Sequence, residues 1–133
     1  MKNILIVSNS DTCRSRMAQE ILNSFGRGMK ISTAGVLVGN SVPDVVCLVM
    51  EQNGYDFSRR KPCDVATYAQ QTWDYVITLC PEAEEVQKEM QGVVRKYVSF
   101  NFADPFRGGI HADDEQEERV VALYDAMHKE LYE

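Results

Sequence analysis

The sequence predicts one α/β domain: a three-layer, doubly wound, four-stranded parallel sheet with an anion-binding loop after strand 1. Three observations carry this expectation. Apolar runs of strand length alternate with patterns of helical period, the order that gives parallel strands joined by helical crossovers. The 133 residues suffice for one core and require no second domain, so residues 1–133 form one unit. A block of small and polar residues separates the first strand-like run from the first helical one, and open sheets of this kind bind ligands beyond the carboxyl ends of their strands.

The elements follow in order. Ile4 to Val7 is continuously apolar and reads as a buried parallel strand. Ser8 to Thr12 are small or polar, and from Arg14 the period turns helical, with Ala18, Ile21, Leu22 and Phe25 on one face. Gly26 and Gly28 end that helix, and Lys30 to Ala34 gives a second strand. Pro43 opens a helix with Val45, Leu48 and Val49 expected on its buried face, and Asn53-Gly54 closes it. Ser58 to Pro62 is irregular and basic. A short helix follows Asp64, a third strand covers Tyr75 to Leu79, a helix Pro81 to Gln91 and a fourth strand Lys96 to Phe100. The loop Ala103 to Ala112 holds Pro105, Gly108 and Gly109. Asp113 and Asp114 cap a last helix whose Val120, Leu123, Tyr124, Met127 and Leu131 form an apolar stripe.

Composition narrows the function. Hydrophobic residues make up 44% of the chain, which suits a globular protein. No apolar run approaches the ~20 residues of a membrane span, and the strand beginning at Asn3 leaves no room for a signal peptide, so the expected compartment is the cytoplasm. A net charge of −6 argues against nucleic acid as a partner. Residues 1–66 carry eight Lys/Arg against six Asp/Glu, whereas residues 67–133 carry six against fourteen. An anion site therefore belongs in the first half. Cys13, Cys47, Cys63 and Cys80 form no C-x-x-C pair and no metal spacing, so free thiols are expected rather than zinc ligands.

The turn from Ser8 to Ser15 has the makings of an anion cradle. Small residues between a buried strand and a helix start aim several backbone N–H groups into one concavity, where the helix dipole adds positive potential. Arg14, at the helix start, can grip two oxygens of a phosphate-like group with its fork. The plainer alternative is an ordinary strand-to-helix turn with a surface arginine.

The stretch Val7-Ser8-Asn9-Ser10-Asp11-Thr12-Cys13-Arg14-Ser15-Arg16-Met17-Ala18 resembles the phosphate-binding loop of low-molecular-weight phosphotyrosine phosphatases and thioredoxin-coupled arsenate reductases. The pattern in that family is Cys, five residues, Arg, Ser, with Gly-Asn inside and Met-Ala soon after. Ser32-Thr33-Ala34-Gly35, Met50 to Gly54-Tyr55-Asp56, Thr78-Leu79-Cys80 and Asp104-Pro105 are landmarks in the same order, so the resemblance spans nearly the whole chain. It implies a site of Ser8, Asn9, Ser10, Asp11, Thr12, Cys13, Arg14 and Ser15 around phosphate or sulfate, with no required cofactor. It further implies that Asp104 is the general acid, that Cys80 matches the first resolving cysteine of the reductases, and that Phe106 flanks a phosphotyrosine ring. The plain alternative for Asp104 is a turn aspartate before proline; for Cys13, at a family cysteine position, it is an inert packed thiol.

The departures from that pattern bear on activity. Ser8 stands in the place of the nucleophilic cysteine, Ser10 in that of the glycine and Asp11 in that of the asparagine. A serine hydroxyl needs an adjacent base to attack, and His111 is the one nearby candidate in sequence order. Because Ser10 and Asp11 depart along with Ser8, divergence of the whole loop is favoured over one substitution made to trap a ligand. Pro81 to Gln91 holds no second resolving cysteine, so thioredoxin is not an expected partner. Asp11 is expected as an exposed carboxylate that opposes a bound dianion by about 1 to 4 kcal/mol. The resemblance also implies an alkali cation, K+ or Na+, held by Asp11, Gln19, Thr33 and Asp64; the alternative is that Asp11 and Gln19 drifted independently.

Three functions stay open on the sequence. The first is a relative that binds a small oxyanion or a phosphorylated protein with little turnover. The second is an active phosphatase or arsenate reductase that uses Ser8 or a displaced thiol such as Cys13 or Cys80. The third is an interaction protein that binds no anion.

Overall fold

The computed structural model describes residues 2–8, 11, 13–24, 29–35, 44–55, 64–81, 90–102 and 114–132. Four strands, β1 (Lys2–Ser8), β2 (Met29–Gly35), β3 (Trp73–Thr78) and β4 (Val94–Ser99), form one sheet in the order β2-β1-β3-β4. Every neighbouring pair is parallel. Around the sheet lie α1 (Arg14–Asn23), α2 (Asp44–Gln52), α3 (Asp114–Tyr132) and a 3-10 turn at Val65–Tyr68. Strand limits fall within two residues of those expected.

The pleat of β1 divides the core. Successive side chains of a strand point to opposite faces, so Ile4 and Ile6 enter a cluster with Met17, Ala18 and Ile21 of α1, Val46, Val49 and Met50 of α2, and Val120, Leu123 and Met127 of α3. Leu5 and Val7 enter a second cluster with Ala34, Val65, Trp73, Val76 and Cys80. Burying each such aliphatic side chain stabilises the fold by about 1.5–3 kcal/mol, and a strand buried on both faces collects that on every residue. This is why the run Ile4 to Val7 is apolar without alternation.

Asn53-Gly54 ends α2 as expected. Gly54 has φ +88°, a conformation that glycine adopts without steric penalty, and the Tyr55 N–H returns to the Met50 carbonyl at 3.0 Å. Asp64 caps the 3-10 turn by accepting from the Ala66 N–H at 2.9 Å. The buried face of α2 differs from expectation. Val46, Cys47, Val49 and Met50 face the core, whereas Leu48 is 45% exposed. The run Val45 to Met50 is apolar all round, so its period cannot choose a face, and the packing of α2 against α3 chooses it.

No helix among the described residues is long and apolar enough to cross a membrane. Phe25, Gly26, Gly28, Pro43, residues 58–62, residues 82–89 of the expected helix from Pro81, the loop 103–112 and Asp113 lie outside the described residues, as does the side chain of Leu131.

Candidate functional site

The carboxyl edge of the sheet is where polar side chains are buried. Ser8, Asp11, Arg14, Ser15, Arg16, Thr33 and Thr78 are all no more than 8% exposed. Ser8 is the last residue of β1 and pairs with Gly35, the last residue of β2. The Leu79 N–H donates to the Val7 carbonyl at 3.0 Å and the Phe102 N–H to the Leu79 carbonyl at 2.9 Å, so the segments after β3 and β4 run beside the end of β1.

Arg14 begins α1 and is buried, with Nη1 donating to the Phe102 carbonyl at 2.9 Å. That bond ties the loop after β1 to the chain after β4, two residues before Asp104. A guanidinium has five donors in a planar fork, and the carbonyl helps to fix its orientation. Phe100 and Phe102 stack with ring centroids 5.8 Å apart, which holds the Phe102 backbone in place.

Ser8 and Asp11 set the shape of the turn. The Asp11 N–H donates to Ser8 Oγ at 3.2 Å. Asp11 has φ +58°, in the left-handed region where aspartate and asparagine are the commonest residues after glycine. An N–H donor on Oγ does nothing to remove the hydroxyl proton, so this contact orients Ser8 without activating it.

The carboxylate of Asp11 corrects a sequence expectation. It is fully buried rather than exposed, and Oδ1 accepts from Ser15 Oγ at 2.6 Å and from Arg16 Nε at 3.3 Å. Arg16 is itself 2% exposed and is among the largest buried side chains. Sequence reasoning assigned Arg16 no role. The available signal was a charged residue in the first turn of an apolar-faced helix, five residues after an aspartate at a turn.

The residues expected around an alkali cation have other partners. Gln19 donates through Nε2 to the Ile31 carbonyl at 2.9 Å, and Asp64, exposed, caps the turn at Val65. Thr33 is buried on β2 opposite Ile6. Asp11 has its counter-charge from Arg16. The Arg16 guanidinium already meets Asp11 at Oδ1, which opposes a second cation at that oxygen.

Cys13, Cys47 and Cys80 are buried thiols outside any disulfide. The Cys13 thiol donates to Met17 Sδ at 3.7 Å within the α1 cluster, and Cys80 packs in the cluster on the opposite face of the sheet. Cys63, Asn9, Ser10, Thr12, Asp104, Phe106 and His111 lie outside the described residues.

A buried arginine and serine at a strand-to-helix turn, at the carboxyl edge of a β2-β1-β3-β4 parallel sheet, invite comparison with known proteins. Residues 3–132 match the model of the low molecular weight phosphotyrosine protein phosphatase family. The chain belongs to that family. It is similar to the glutaredoxin arsenate reductase of Synechocystis sp., with 29% identity over 80 residues that cover 60% of this chain and 61% of that protein. Among solved structures, the tyrosine phosphatase amsI of Erwinia amylovora superposes with a TM-score of 0.76 at 18% identity, over 97% of this chain and 88% of that one. An arsenate reductase from Archaeoglobus fulgidus gives 0.66 at 21% identity, over 98% and 99%. At these identities the two structures establish the shared fold, an α/β sheet flanked by helices.

Proposed function

We propose that this family member binds a tetrahedral oxyanion, inorganic phosphate or the phosphoryl group of a phosphorylated protein, at the turn from Ser8 to Ser15, with little or no turnover. The observation that carries the reading is the pairing of a retained cation with a lost nucleophile. Arg14 is buried and oriented by the Phe102 carbonyl, while Ser8, where the family resemblance expects the attacking cysteine, accepts from the Asp11 N–H. The first arrangement favours anion binding. The second lacks the thiolate that would attack phosphorus or arsenic. In a serine hydrolase, removing the nucleophile costs on the order of a million-fold in turnover.

Each residue then has a task. Arg14 and Ser15 with the loop amides hold the anion, the dipole of α1 adds favourable potential, and Ser8 shapes the floor of the turn. Cys80 would serve packing. The reading calls for no cofactor and no thioredoxin. The proposed ligand affinity is weak, roughly millimolar.

The test is p-nitrophenyl phosphate turnover by the protein and by Ser8→Cys, alongside calorimetric titration with phosphate. The expected result is phosphate binding by both and turnover only by Ser8→Cys. Thioredoxin-dependent arsenate reduction or family-like hydrolysis by the parent chain would overturn the loss of activity, and absence of phosphate binding would overturn the anion site.

A further inference from the structure

The shape of the turn requires a residue at position 11 that tolerates a left-handed backbone, and asparagine would meet that need without charge. Aspartate brings a full negative charge into a site with no solvent exposure. A carboxylate so placed must be paired or it is strongly disfavoured, and the same holds for a guanidinium at 2% exposure. Asp11 and Arg16 meet at 3.3 Å, so each supplies the other with a counter-charge. Ser15, which shares Oδ1 at 2.6 Å, and Arg16 both stand in the first turn of α1, where the dipole also favours a carboxylate.

We infer that Arg16 is a positioning residue of the loop, whose buried guanidinium cancels the charge of Asp11 so that Asp11 shapes the cradle without repelling its anion. The inference deepens the proposed function and rests on that reading. A contacting pair of opposite charges acts on a third charge as a dipole, and its field falls off faster than that of a lone carboxylate. Arg14 makes a contact apart from that pair. Its guanidinium is oriented by the Phe102 carbonyl.

Five proteins decide it: the parent, Asp11→Asn, Arg16→Gln, Arg16→Lys and the double variant Asp11→Asn with Arg16→Gln. Inorganic phosphate affinity is read by NMR titration and stability by urea unfolding. Arg16→Gln is expected to weaken phosphate binding about tenfold by exposing the ligand to an unpaired carboxylate. Arg16→Lys keeps the charge and most of the affinity, and the double variant returns to within about threefold of the parent. In stability the two single changes are expected to couple by at least about tenfold in the unfolding constant. Arg16→Gln failing to fold while the double variant folds is the same rescue in stronger form. A folded Arg16→Gln that binds phosphate as the parent does, or a double variant no better than Arg16→Gln, overturns the inference. If no protein of the five binds phosphate, the anion-binding reading fails by itself, and the unfolding cycle then decides the pair, with effects that simply add counting against it.

Discussion

At the amino edge of the sheet Arg95 of β4 meets Asp74 of β3 at 3.6 Å, with side chains 78% and 26% exposed. At the carboxyl edge Arg16 meets Asp11 at 3.3 Å, with side chains 2% and 0% exposed. The chemistry of the two pairs is the same and their surroundings are opposite. The amino edge is otherwise a solvated rim, where the Asn3 N–H donates to Asp74 at 2.8 Å and Lys2 lies 5.3 Å over the Tyr75 ring. Charges there are screened by water and salt, and an exposed pair contributes about 0–1 kcal/mol. Charges at the carboxyl edge have left water, so each must be matched by a partner, and removing one partner of a buried pair costs about 3–5 kcal/mol. The contrast is one of surroundings: a buried charge needs its partner and an exposed one does not.

Turnover should show the largest difference between the edges. Ser8→Cys is expected to raise p-nitrophenyl phosphate hydrolysis by about a thousandfold or more, since it restores a thiol where the loop amides and Arg14 can stabilise a thiolate. A gain below tenfold would break the comparison, showing that the carboxyl edge has lost more than its nucleophile. Next in size is Arg16→Gln, expected to lower unfolding free energy by about 3–5 kcal/mol, against no more than about 1 kcal/mol for Arg95→Gln. Equal losses in urea melts would erase the distinction between the pairs. Arg14→Ala should abolish measurable phosphate binding, a loss of about 1.5–3 kcal/mol from a millimolar site. NMR titration reads it, and retained binding would move the anion site elsewhere.

A smaller effect depends on pH. Burial, then the hydroxyl of Tyr55 at 3.4 Å, pushes the Tyr124 phenol from 10.0 up to about 12. Below pH 10 both folded and unfolded chains keep this proton, and the contribution of the neutral phenol is fully present. As pH rises from 10 through about 12 the unfolded chain releases the proton first, so stability falls across that window. Tyr124→Phe should flatten the difference curve of stability against pH in that range, measured against the parent. The smallest effect sharpens the first comparison: added salt should remove most of whatever Arg95→Gln costs and leave the Arg16→Gln loss largely unchanged.

Much of this was legible in the chain itself. The apolar run Ile4 to Val7, the small-residue turn and the helical period from Arg14 specified β1, the loop and α1, because a doubly buried strand and an amphipathic helix leave local patterns. Asn53-Gly54 and Asp64 likewise set the end of α2 and the start of the 3-10 turn through backbone chemistry of their own. What the sequence could not decide was which charges are buried and against what. Arg14 finds its carbonyl 88 residues away at Phe102, and the apolar run Val45 to Met50 of α2 leaves Leu48 outside because α3 packs on its other side. Asp11 reads as an exposed, repelling carboxylate until the left-handed turn folds it under Ser15 and Arg16. Local pattern fixes where a strand or helix forms, because it depends on neighbours in the chain; the environment of a charge depends on neighbours in space, and those only the tertiary structure supplies.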